Sequence, residues 1–537
     1  MPMIFSLVLI IGIILGSRVN QPFLNKKPFF LTQSGQFNKL NDIINYVQQE
    51  YVDTVNYKGL VEDAITAMLH KLDPHSSYIP SEDLQAMNEP LEGNFDGIGV
   101  EFHIQNDTIM VVTPVSGGPS EALGIQPGDR IIKIEDTLVA GVGITNTDVM
   151  RKLRGPNGTK VNVGILRKGK EELLDYNITR GKIPIYSVEA AYMMDHKVGY
   201  IKIARFGATT YDEFMSTLSN LKKEGMDELV LDLRGNPGGY LNAATQIADE
   251  FLEGKKLIVY TEGKSRPRNN YYSKPNGAFE RGKVAVLIDE GSASASEILA
   301  GALQDWDRAV IVGRRSFGKG LVQEQTVFPD GSAMRLTIAR YYTPTGRSIQ
   351  KPYANGFEEY QRELALRYDR GEFESMDSIT LPDSLKFNTP GGRTVYGGGG
   401  ILPDVFVPLD TVYTSQFLAE VASRGTISEF AYDYVDNNRD LLNSYGAFEK
   451  FNNEFDVTEG LYNRFVIYAL SQGVPNEPHG IKYSAPLIKQ RIKSFIARQF
   501  YKNDGFVRVI NSTDPVVQKA YSILNDPSYV MIEKSDK

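Results

Sequence analysis

The chain has 537 residues, 42% apolar and 23% charged, the composition of a folded protein too long for a single core. A net charge of −8 with no basic block argues against nucleic acid as a partner. There is no cysteine, so disulfides, thiolate-bound metal and a thiol nucleophile are excluded; the five histidines (His70, His75, His103, His196, His479) include no pair at zinc-protease spacing.

Residues 1–16 are apolar but for Ser6, and the first charge is Arg18. The run is short for a spanning helix of about 20 residues. It is long for the core of a signal peptide, and it lacks a basic leader and an Ala-x-Ala site. Residues 1–19 are read as a signal anchor, with a cleaved signal peptide as the alternative. Either exports the rest of the chain, to the periplasmic side of a bacterial inner membrane or to the periplasm.

Residues 34–90 form a helical segment. Phe37, Leu40, Ile43, Ile44, Val47 and Tyr51 mark one apolar face, and Leu60, Ala64, Met68 and Leu69 a second helix. Leu72-Asp73-Pro74-His75-Ser76 stops that helix.

Residues 91–181 read as a small β-rich module. Val100, Phe102 and Ile104 alternate with polar residues, and short strands are expected over 109–112, 130–134 and 161–166, with a helix over 147–154. The module resembles a PDZ domain, with Gly97, Ile98, Gly99 and Val100 as its carboxylate-binding loop. Backbone N–H groups of a glycine-rich loop can hold a terminal carboxylate while the adjoining strand edge accepts the peptide. Gly-rich loops also simply turn the chain.

Residues 182–412 carry the signals of an α/β domain, with an irregular, charged insertion at about 351–390. The strand over 228–233 runs into Arg234-Gly235-Asn236-Pro237-Gly238-Gly239 and then a helix over 242–252. The glycine spacing is wrong for a dinucleotide site. Val284 to Ile288 is a buried strand, and Ile298, Leu299, Ala302, Leu303 and Trp306 recur at helical spacing. Ser294 therefore sits where a strand turns into a helix, a place that presents a hydroxyl beside unpaired N–H groups. A second strand over 309–313 leads to Arg314-Arg315-Ser316-Phe317-Gly318-Lys319-Gly320. A lysine can activate a serine if desolvation lowers its pKa.

Two plainer readings compete. Ser294-x-x-Glu297 is a capping box, which mostly just starts helices. Gly313-x-x-x-x-Gly318-Lys319-Gly320 nearly matches a phosphate-binding loop of a nucleotide hydrolase, with Gly in place of the metal-holding Ser or Thr and a strand-like sequence behind it.

Gly291-Ser292-Ala293-Ser294-Ala295-Ser296-Glu297-Ile298 followed by Phe317-Gly318-Lys319-Gly320-Leu321-Val322-Gln323 resembles the signature of the C-terminal processing peptidases, or tail-specific proteases. The resemblance extends over roughly residues 36–408. It implies a crotonase-like α/β serine protease core with an inserted PDZ domain, and a Ser/Lys dyad of Ser294 and Lys319 with Gln323 orienting the lysine. It implies an oxyanion hole made by the N–H groups of Ala295 and Gly239, with Gly238 as the alternative to Gly239. Arg154, in Leu153-Arg154-Gly155-Pro156-Asn157, is assigned the coupling of PDZ occupancy to the active site. No metal or cofactor is implied. The expected partners are proteins or peptides with apolar C-termini, and the membrane through the N-terminal segment. A scaffold protein with an idle protease domain is the alternative function. Residues 413–537 form a helical C-terminal extension outside the resemblance, for oligomerisation, adaptor binding or substrate shielding.

Overall fold

The computed structural model describes residues 39–526. The signal-anchor expectation falls on residues 1–19, outside the described residues; among those, no helix is long and apolar enough to cross a membrane. The chain divides into two units, one ending at Tyr78 and one starting at Ile79. The first contains helices Lys39–Glu50 and Tyr57–His70. Asp73 closes the second of these by accepting the N–H groups of His75 and Ser76 at 2.8 Å, an Asx turn.

The larger unit is built on a six-stranded sheet. Its order is Val188–Met193, Val198–Ile203, Glu228–Asp232, Val284–Ile288, Val310–Gly313 and Val405–Phe406, parallel from the second strand onward. Every residue of the two central strands is buried, because both faces are covered. Helices Thr210–Lys223, Leu241–Asp249 and Ala295–Asp305 pack on one face. Val516, Val517, Ala520, Ile523 and Leu524 of helix Pro515–Leu524 cover the other, against Val198, Tyr200, Val230, Ala285, Leu287 and Val310. Helix Pro515–Leu524 thus completes the core of the α/β domain.

A hairpin, Leu321–Val327 with Ala333–Tyr342, turns at Pro329-Asp330-Gly331 as its turn chemistry predicts. Its second strand pairs with Leu257–Gly263. The region read as an irregular insertion contains a 13-residue helix, Phe357–Asp369. Six of its 13 residues are charged, and only Tyr360 and Arg367 are buried, so it carries no wide apolar face.

The PDZ module is a sheet in the order Val100–Gln105, Thr108–Pro114, Arg130–Ile134, Lys160–Leu166 and Leu174–Thr179, with helix Asn146–Leu153. Its entry strand Asn94–Gly97 pairs with its exit strand Gly181–Pro184, as an inserted domain requires. The helical extension packs on this sheet. Arg130 pairs with Asp436 at 3.2 Å, Arg498 with Glu101 at 2.8 Å, and Met110 and Val112 bury against Tyr432. His103 lies within this contact, its ring 5.2 Å from that of Tyr432.

Burial, and secondly the charge of Arg130, push the His103 pKa down from 6.5 to about 4. The unfolded chain therefore binds a proton between those values that the folded chain refuses. The contribution of neutral His103 is fully present above pH 6.5 and is lost as pH falls toward 4, at most about 3 kcal/mol. His103→Phe keeps an aromatic ring on Tyr432 and removes the proton site. The wild-type-minus-variant difference in unfolding free energy is expected to shrink with acidification over this range; a difference that does not change with pH would refute it.

Candidate active site

The strand Val284–Ile288 ends in a turn that is held from inside. Ser292 Oγ donates to Leu233 O at 2.8 Å, and Ser296 Oγ to Asn236 O at 3.0 Å. Both serines are fully buried. Ser294 alone of the three lines the large cavity of about 1050 Å³. Its backbone stands at φ 55° and ψ −111°, a conformation uncommon for any residue with a Cβ. Such a turn pushes the side chain outward at the start of helix Ala295–Asp305.

The glycine-rich turn after Glu228–Asp232 packs directly on it. A Cβ on Gly238 would sit 2.6 Å from Ala293 O and 2.8 Å from both Ala295 N and the Ser294 Cβ, and one on Gly239 would sit 2.1 Å from Phe206 O. Only glycine permits this approach. The Gly238 N–H is already spent on Asn236 Oδ1 at 2.9 Å. The N–H groups of Gly239 and Ala295 donate to nothing among the described residues. Of the two glycines, Gly239 is thus the one with a donor to offer. Arg234, which opens this turn, is fixed by Asp232 at 2.6 Å and by Asp514, the N-cap of the C-terminal helix, at 2.9 Å.

Lys319 lines the same cavity, as do Gln323 and Gly239. Its Nζ donates to Gln323 Oε1 at 3.2 Å. Gln323 sits at a register shift of the hairpin, between Val322 and Gln323, a bulge that re-aims a side chain. The Tyr341 hydroxyl bridges the two halves of the site, 2.6 Å from Lys319 O and 3.0 Å from Ser294 O.

Glu297 does more than start the helix. Its buried carboxylate accepts the Ser294 N–H at 2.8 Å, the Ser316 hydroxyl at 2.5 Å, the Gly318 N–H at 2.7 Å and the Lys319 N–H at 2.9 Å. One side chain therefore ties the serine turn to the lysine loop. The amides that a nucleotide phosphate would need are committed to it, and Lys319 is followed by a strand, Leu321–Val327, not a helix. The phosphate-loop reading fails on both counts. The lysine loop is also held from behind, where Arg367 of helix Phe357–Asp369 donates to Arg315 O at 2.7 Å and Ser316 O at 3.1 Å. Nothing in the sequence signals Arg367, whose role depends on a contact across 51 or more positions.

In the PDZ module, Gly97 ends the entry strand, Ile98 and Gly99 form the loop, and Val100 opens strand Val100–Gln105. The Ile98 and Gly99 N–H groups donate to nothing among the described residues, while their carbonyls accept from Ser120 and Val115. The strand that follows is the edge of its sheet. Arg154, at the end of helix Asn146–Leu153, pairs with Glu89 at 2.6 Å and lies over the Phe95 ring at 4.5 Å. Glu89 belongs to helix Leu84–Glu92, whose Met87, Asn88 and Leu91 line the large cavity.

Residues 197–358 match peptidase family S41, residues 97–178 a PDZ domain, and residues 19–83 the N-terminal domain of the activating protease CtpB. Residues 417–502 match a family of unknown function. The carboxy-terminal-processing protease of Bartonella bacilliformis is 39% identical over 320 residues, 59% of this chain and 73% of that protein. The carboxy-terminal processing protease CtpB of Bacillus subtilis is 35% identical over 316 residues, 58% of this chain and 65% of that protein. A solved photosystem II D1 C-terminal processing protease aligns at 28% identity over 70% of this chain and 87% of its own, with a TM-score of 0.36. With its PDZ module, its α/β core and a relative of this closeness, the chain belongs to the carboxy-terminal processing serine proteases of peptidase family S41.

Proposed function

We propose that the chain is an exported, membrane-anchored endopeptidase that captures apolar C-terminal tails in its PDZ module and cuts them with a Ser294/Lys319 dyad. One observation carries this reading: Ser294, on its strained turn, and Lys319 line a single cavity beside two uncommitted N–H groups. In this mechanism neutral Lys319 takes the Ser294 proton as the oxygen attacks the peptide carbonyl. The N–H groups of Ala295 and Gly239 hold the developing oxyanion. Lys319 then gives the proton to the leaving amine, and water, deprotonated in the same way, releases the acyl group. Gln323 holds the lysine amine in place by accepting one of its N–H bonds. The apolar run at residues 1–16 supports anchoring and export.

Tail capture rests on the Ile98 and Gly99 N–H groups and on the open edge of strand Val100–Gln105, which together suit a terminal carboxylate followed by an added strand. Arg154 stands next to that loop, since a Cβ on Gly97 would lie 3.8 Å from its Cγ, and it reaches the cavity-lining helix through Glu89. It thus couples an occupied PDZ module to the cleft. The test uses a disordered protein with an apolar C-terminus, free or amidated. Amidation is expected to weaken binding and cleavage together, by about tenfold or more. Arg154→Ala is expected to slow cleavage while tail affinity stays within twofold. Equal cleavage of free and amidated tails would refute capture, and lost binding in Arg154→Ala would refute the coupling role.

A further inference from the structure

The cleft holds a second basic side chain that the proposed chemistry does not use. Arg335 lies on strand Ala333–Tyr342 and lines the same cavity as Ser294 and Lys319. The hairpin register sets Gln325 opposite Arg335 and Gln323 opposite Thr337. Side chains two apart on a strand share a face, about 6.6 Å from one another. The row therefore starts from the glutamine that holds Lys319 and ends, one step further along, at a guanidinium.

That guanidinium is held by neutral groups only. Its Nε donates to Gln325 Oε1 at 2.9 Å and its Nη2 to Asn88 Oδ1 at 3.0 Å. Among the described residues it makes no ion pair, and its Nη1 makes no hydrogen bond. Among the described residues, the only carboxylate lining the cavity is that of Glu92, which is exposed. Arg335 is half-buried, and burial pushes its pKa down, the mark of a charge short of compensation. Amide oxygens orient a guanidinium without neutralising it. A carboxylate arriving from the cleft would do so with a charge-assisted hydrogen bond, in a site already fixed in place.

We propose that Arg335 is a carboxylate-binding residue of the substrate cleft, which selects peptides carrying an anionic group within about three residues of the scissile bond. The anion is either an acidic side chain or the terminal carboxylate of a short tail. This deepens the proposed protease reading and rests on it.

The full chain would be assayed on a fluorogenic peptide series with an apolar C-terminus. Each position within three residues of the cut would carry Glu or Gln in turn, and each peptide would have a free or amidated end. Wild type is expected to prefer the anionic member at one position by about tenfold in kcat/KM. In Arg335→Met that preference should disappear while cleavage of the neutral member stays within twofold; Arg335→Lys should keep part of it. A Glu preference that Arg335→Met abolishes assigns a side chain, and a free-end preference that Arg335→Met abolishes assigns the terminus, because PDZ capture alone would survive that substitution. Glu and Gln members cut equally by wild type with a free-end preference unchanged in Arg335→Met, or an equal loss on every member in Arg335→Met, would overturn the inference and leave the protease reading intact. Failure of wild type to cut any member would take both down.

Discussion

Replacing Ser294 with alanine, or Lys319 with methionine, is expected to lower kcat/KM by about four orders of magnitude or more, because each removes a group for which the other has no substitute. Neither change should unfold the chain. The serine turn is held by its backbone: the Ser294 N–H goes to Glu297 and its carbonyl meets the Tyr341 hydroxyl. Those bonds survive in Ser294→Ala. The same backbone gives a sharper test. At φ 55° a Cβ is strained, and glycine relieves that strain. Ser294→Gly should therefore be as inactive as Ser294→Ala yet more stable than it, by about 1 kcal/mol in urea unfolding. Residual cleavage in either Ser294 variant would move the nucleophile elsewhere. The neighbours are poor substitutes, since Ser292 and Ser296 are buried and donate to backbone carbonyls.

The residues proposed to carry the chemistry stand in local patterns that a sequence displays. A β-branched run, a small-residue turn and a helical apolar stripe place Ser294; a second such run places Lys319 on the neighbouring parallel strand's loop. The glycines of residues 234–239 could be read as a turn, but the choice between Gly238 and Gly239 could not. It turns on the Asn236 side chain, which spends the Gly238 N–H, and no spacing rule encodes that bond. Helix Phe357–Asp369 was not legible, because its buried positions include an arginine that serves two carbonyls of the lysine loop. The extension after residue 413 reads as helices, yet its contacts with the other domains do not follow from periodicity. Asp514 reaches Arg234 at the glycine turn, and Tyr432 and Asp436 meet the back of the PDZ sheet. These are pairings between distant segments, visible only after the fold has brought them together.

Glu297→Gln is expected to lower kcat by at least about a hundredfold with little change in KM, since Glu297 positions the site without touching substrate. Four donors converge on its carboxylate, from Ser294, Ser316, Gly318 and Lys319. An amide turns one of those acceptor oxygens into a donor, so some of the donors would face an N–H group. Its pH behaviour separates this role from simple packing. Burial raises the Glu297 pKa from 4.5 to about 7, against the pull of those hydrogen bonds. The folded chain thus holds a proton between these values that the unfolded chain has released. The stability this gives is fully present below pH 4.5 and is lost as pH rises through about 7, up to about 3 kcal/mol. The clamp itself works in the other direction, because only the ionised carboxylate accepts all four bonds. Over pH 5 to 8 the wild type should gain activity relative to Glu297→Gln while losing stability relative to it. The comparison must be made as a difference, since His103 titrates with the opposite sign over an overlapping range. If both differences are flat with pH, Glu297 does not titrate in this range and the pH-dependent clamp is refuted.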